Sequence, residues 1–144
     1  MRVFICSFEN FYVAIPMDSI SSLSLYTEEL KQDTDGCNSV ICCNENGNIY
    51  VSLLLLFNLP PQNIRHAIFL KDENCENKTI LLSTLVECEI DITEDKIFPV
   101  PKTLNGTSFS VLFNGIRFAA DTESFPTLLL DTKQLINFIK DKKI

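Results

Sequence analysis

Apolar side chains recur at every second position along most of this chain, a period that fits β-sheet and leaves little room for helix. Residues 3–8 and 11–15 are rich in β-branched and aromatic side chains, and Glu9-Asn10 between them predicts a hairpin turn. Ile20, Leu23 and Leu25 suggest a third strand that begins after Pro16 and Asp18. The alternation then lapses between residues 27 and 48. There Glu28, Glu29, Lys31, Gln32, Asp33 and Asp35 precede Gly36, which spells a long polar loop with a short helical turn at 28–32. Asn46-Gly47 signals a tight turn, because both residues tolerate positive φ. It opens a leucine-rich run over 49–57, read as a strand buried on both faces and ended by Pro60-Pro61.

Strands are expected again at 66–71 and 79–92, divided by the polar turn at 72–78. The second is long enough to bend and serve two sheets. Phe98-Pro99-Val100-Pro101 reads as an extended connector fixed by its prolines. Further strands are expected at 108–113, 115–120 and 127–130, the first two joined by a turn at Asn114-Gly115. One helix closes the chain. Asp131 or Thr132 can accept its first free amides, and Leu135, Ile136 and Ile139 form an apolar stripe. Lys140, Lys142 and Lys143 then sit where the helix dipole favours cations.

With 144 residues, 46% of them apolar and 22% charged, the chain fits one globular domain. A domain of this size buries roughly two thirds of its unfolded surface, so it needs no disulfide or metal to fold. A net charge of −7 argues against a nucleic-acid surface, which requires a basic patch. The six cysteines include no CxxC pair, and adjacent Cys42 and Cys43 are poorly placed to close on one another. Cys6 and Cys88 fall in apolar runs and read as small buried hydrophobes. The N-terminus lacks a signal-peptide pattern, and the apolar run at 51–57 is too short to span a membrane. Sequons at Asn77 and Asn105 matter only in a secreted protein, and the chain reads as cytoplasmic and reduced.

No nucleophile elbow, phosphate-binding loop, dinucleotide fingerprint or HExxH occurs. The four glycines are scattered, so no cradle of consecutive amides is expected. Asp91, Glu94 and Asp95 lack calcium-loop spacing and read as a solvated loop. His66, the single histidine, opens an apolar strand beside Arg65 without a nucleophile in register, which predicts packing rather than catalysis. The residues point to no enzyme, no cofactor and no metal. Phe98, Phe109, Phe113, Phe118 and Phe125 suit core packing, with a small-ligand pocket as the alternative.

The order of elements resembles the CheW-like chemotaxis coupling domains. Ala14-Ile15-Pro16-Met17 and Ile20-Ser21-Ser22-Leu23 look like that family's opening strands and its V-x-E-I-type segment. Asn46-Gly47 and the apolar run at 49–57 look like its Arg-Gly turn and V-I-P-V-x-D-L strand. Residues 79–92 are similar to its L-L-V-D-x-V-x-x-V strand, and 97–101 to its I-x-P-x-P connector. Leu128-Leu129-Leu130-Asp131-Thr132-Lys133-Gln134-Leu135-Ile136 resembles the closing L-L-D-x-x-x-L-L, the closest match residue by residue.

The resemblance implies a mainly β fold: two small five-stranded SH3-like barrels packed together with a C-terminal helix. Residues 1–144 would form a single domain, its first barrel completed by C-terminal elements. It also implies a non-catalytic adaptor that couples chemoreceptor tips to a CheA-type histidine kinase. The protein-binding positions carried over are Ile20, Ser22, Leu23, Asn46 and Gly47. Three charged family positions are neutral here. Asn46 replaces the arginine, Leu54 stands in the strand's aspartate position, and Ser83 in that of the V-D aspartate. A retained fold with an altered interface is therefore expected. The alternatives are an interaction module outside chemotaxis and a small-ligand-binding barrel.

Overall fold

The computed structural model describes residues 2–8, 11–35, 39–44, 47–60, 64–71, 78–84, 86–92, 97–98, 113–117 and 127–142. The chain divides into two compact units. One comprises Met1–Asp18 with Glu87–Ile144, and the other Ser19–Val86.

The first unit carries a six-stranded sheet in the order β8-β1-β2-β11-β10-β9. Strands β1 (Arg2–Ser7) and β2 (Tyr12–Pro16) run antiparallel with Val3 opposite Pro16. At their closed end the Phe8 amide donates to the Phe11 carbonyl, and the two rings stack with centroids 4.8 Å apart. Glu9-Asn10, the expected turn, lies outside the described residues. Strand β11 (Thr127–Leu130) lies parallel to β2 and antiparallel to β10 (Phe113–Arg117), so it joins the two ends of the chain in one sheet. Strand β8 (Val86–Asp91) forms one edge, where Arg2 pairs with Glu89; β9 (Ile97–Phe98) forms the other. Val3, Ile5, Ala14, Ile92 and Leu129 pack together into a buried cluster. Helix α3 (Thr132–Lys142) begins at Asp131, whose carboxylate accepts the Gln134 amide at 3.1 Å. Leu135 and Ile139 are buried, while Ile136 is only half-buried.

The second unit carries a five-stranded sheet, β3-β6-β7-β5-β4. Its strands are β3 (Ile20–Leu25), β4 (Ile41–Cys43), β5 (Ile49–Ser52), β6 (His66–Leu70) and β7 (Thr79–Ser83). A short 3-10 turn at Met17–Ser19 leads into β3, and helix α1 (Glu28–Asp33) follows it. The pairings Cys42↔Tyr50, Tyr50↔Ile80, Phe69↔Ile80 and Ala67↔Leu82 put these side chains on one face. Tyr26 and Leu30 pack on that face. The opposite face carries Val51, Ile68 and Leu81, all buried.

Four expectations need correction. The run at 49–57 is not one strand: β5 stops at Ser52, and Leu53–Leu56 forms a single helical turn, α2. The Ser52 hydroxyl accepts the Leu55 amide at 3.1 Å and starts the turn. Asn58, at φ 60°, ends it, with the Leu59 amide on the Leu54 carbonyl and the Asn58 amide on that of Leu55. Those two bonds satisfy helix-end carbonyls, and asparagine tolerates the left-handed backbone they require. Asn114-Gly115 is not a hairpin turn but a bulge within β10, where Phe113 faces Leu130 and Gly115 faces Leu129. Among the described residues the first sheet has six strands, where the resemblance implied five. Finally, Cys42 is disulfide-bonded, against the expectation of reduced thiols. Cysteine spacing alone does not fix connectivity, although Cys43 is free and so is not its partner. The segment at 79–92 behaves as expected: β7, which ends at Ser83, belongs to one sheet and β8, which begins at Val86, to the other.

Candidate functional site

Among the described residues strand β3 ends its sheet, with β6 as its one strand neighbour there. The register Leu23↔Ile68 and Leu25↔His66 sets both leucines on the face that carries the buried Ile68. At the strand margin they remain open to solvent, Leu23 by 38% and Leu25 by 67%. They are the exposed large hydrophobic side chains among the described residues. Ile20, 9% exposed, anchors the start of the strand, and a bulge follows between it and Ser22. The Ser21 hydroxyl there donates to the Phe69 carbonyl at 3.1 Å. Ser22 is exposed and alternates with Leu23, so the two look to opposite faces.

The structure thus gathers Ile20, Ser22 and Leu23 on one edge strand. Gly47, at φ 82°, sits in the β4–β5 turn, and that strand pair ends the sheet on the side away from β3. Asn46 lies outside the described residues. Leu25 is more exposed than Leu23 and lies beyond the motif, which stops at Leu23. The alternation of Leu23 with Leu25 was the available signal.

Helix α1 is fastened beside this strand by two phenols. The Thr34 hydroxyl donates to the Leu30 carbonyl at 3.0 Å, so the Tyr26 hydroxyl, 2.6 Å away, donates to Thr34. The Tyr50 hydroxyl donates to Asp33 at 3.0 Å. A cavity of about 90 Å³ lies between them, with Cys42 and Ile64 among its lining. Burial first, then the hydrogen bond to Asp33 and its negative charge, push the Tyr50 pKa from 10.0 up to about 12. The neutral phenol is the form the fold favours. Its contribution is fully present below pH 10 and lost as pH rises through about 12. Urea midpoints measured from pH 9 upward should therefore fall more steeply for wild type than for Tyr50→Phe. Parallel curves would mean that the phenol is not held this way.

His66 is half-buried and its Nδ1 accepts the Val86 amide at 3.2 Å, so the ring ties the start of β6 to the β7–β8 break. Asp91 lies within 3.9 Å of Arg2, while Glu94 and Asp95 fall outside the described residues. Of the five phenylalanines considered for a pocket, Phe98 and Phe113 lie in β9 and β10; Phe109, Phe118 and Phe125 are outside the described residues. Among the described residues, no helix is long and apolar enough to cross a membrane.

No family model matches the chain, and no curated protein matches its sequence. Its fold does have a counterpart among solved structures. The scaffolding protein TtCheW from Thermoanaerobacter tengcongensis is similar over 90% of this chain and 83% of that one, with a TM-score of 0.59 and 17% identity. At that identity the likeness establishes fold and nothing finer. The chain is mainly β, with a CheW-like fold of two small SH3-like units and a C-terminal helix.

Proposed function

We propose that this protein is a non-catalytic signalling adaptor that links chemoreceptor tips to a CheA-type histidine kinase, or to divergent equivalents of both. The observation that carries the reading is the apolar margin of β3, with Leu23 and Leu25 open to solvent on a fold similar to a scaffolding protein. A few aliphatic anchors on a rigid sheet are enough to hold a partner when they become fully desolvated. In this reading residues 1–144 act as a single domain, and the protein-binding positions are Ile20, Ser22 and Leu23 on β3, with Asn46 and Gly47 as a second group apart from them in the sheet order. Ile20, being buried, supports the strand, and Leu23 makes contact. Leu54 and Ser83 are buried, so their neutrality belongs to the core and leaves Asn46 as the altered position of the binding surface. The protein would work in the cytoplasm, where receptor tips and kinase meet.

A pull-down from the protein's own cell extract tests this. Wild type should retain a kinase or receptor, and Leu23→Asp should reduce that capture about tenfold or more. The variant should keep the wild-type denaturation midpoint, because the replaced side chain is already part-exposed. Equal capture by both proteins, or no kinase or receptor with folded wild type, would count against the adaptor role.

A further inference from the structure

We propose that the outer edge of β3 receives an extended partner segment in which apolar side chains alternate with basic ones. The inference deepens the reading of β3 as the working surface and rests on it. Its first support is the direction of the backbone. The Tyr26 amide donates to the Arg65 carbonyl at 3.0 Å and the Lys71 amide to the Ser19 carbonyl at 2.9 Å, both on the β6 side. Backbone groups alternate sides along a strand, so Ser22 and Ser24 also face β6 while Leu23 and Leu25 turn theirs outward. The Ser24 hydroxyl donates to the Leu25 carbonyl at 2.9 Å, which occupies one outward acceptor. The Leu23 amide and carbonyl and the Leu25 amide meet no strand among the described residues. A row of such groups is what an added strand pairs with.

The second support is what the edge lacks. Sheets commonly guard exposed edges with lysine, proline or inward-pointing charge, and residues 22–25 are Ser, Leu, Ser and Leu. The bulge at its start limits how far pairing can extend.

The third support is charge, and it selects the occupant. Helix α1 follows β3 directly and presents Glu28 and Glu29 to solvent. Its one cation, Lys31, is already engaged with Glu28 at 3.1 Å and lies over the Tyr26 ring. A second copy could match Leu23 with Leu25 across a two-fold axis, but each copy carries −7 and the same acidic helix to the contact. A basic segment meets complementary charge instead.

Calorimetry and amide hydrogen exchange on the full chain test this, with three capped eight-residue probe peptides. Lysine alternates with valine in the first, glutamate with valine in the second, and lysine with glycine in the third. The lysine–valine peptide should bind about tenfold more tightly than either other peptide and slow exchange at the Leu23 and Leu25 amides. Glu28→Gln with Glu29→Gln should remove its advantage over the glutamate–valine peptide. Equal binding of all three peptides, or protection away from β3, would overturn the proposal. So would protection of the Leu23 amide that grows with protein concentration alone, since the occupant would then be a second copy. Kinase or receptor capture that Leu23→Asp abolishes and the double glutamine variant leaves unchanged would overturn this inference while keeping the adaptor role.

Discussion

Leu54→Asp is expected to cost about 3–5 kcal/mol of folding stability, the usual penalty for an unpaired buried charge. The substitution restores the aspartate that the CheW-like pattern carries at this position. Leu54 is 1% exposed and lies in the helical turn α2, between the Ser52 cap and the reversal at Asn58. Its neighbours in sequence are leucines, and α2 packs against β7. Ser83, the second such position, is fully buried in β7, and its hydroxyl has no hydrogen-bond partner among the described residues. Ser83→Asp should therefore be as damaging as Leu54→Asp. Ser83→Ala should be neutral or stabilising by up to about 1 kcal/mol, because it removes an unmet polar group. Urea denaturation of the three variants reads both effects. A stable Leu54→Asp protein would mean that a partner for the carboxylate lies within reach and that the neutral position was not fixed by burial.

Leu130→Ala is expected to cost about 3 kcal/mol, within the range of about 2–5 for a buried leucine. Its side chain is fully buried at the end of β11. The effect should exceed simple loss of contact, because β11 is bonded on both sides, to β2 and to β10. Weakening it loosens the union of the N-terminal hairpin with the C-terminal strands, and α3 begins only two residues further on. Thermal unfolding followed by circular dichroism would show the loss. A change below about 1 kcal/mol would imply that the first unit does not depend on its C-terminal strand.

Period-two alternation, with β-branched or aromatic content, located β1, β2, β6 and β11, although their burial ranges from a partly exposed β1 to a β11 with all four side chains buried. It also placed the bend between β7 and β8, because a run from 79 to 92 is too long for one sheet of this size. It failed at 49–57, where four consecutive leucines are apolar in either conformation and the decision falls to Ser52 and Asn58. Helix-end chemistry was legible there, but the hydrophobic run masked it. At Asn114-Gly115 the dipeptide that favours hairpins also favours bulges, and only the partner strand decides between them. For the candidate surface, resemblance supplied Leu23, yet Leu25 emerged only when the sheet order made β3 an edge. The same order separates Gly47 from β3, a relation that no linear motif contains.

The central claim is that this chain couples two proteins without chemistry of its own. Its most direct test is co-sedimentation of the CheA-type kinase with receptor-bearing membranes from the same cells, with and without added chain. The account predicts that wild type brings the kinase down with the membranes and that Leu23→Asp does not. Kinase that sediments equally without the chain, or wild type and Leu23→Asp acting alike, would contradict it.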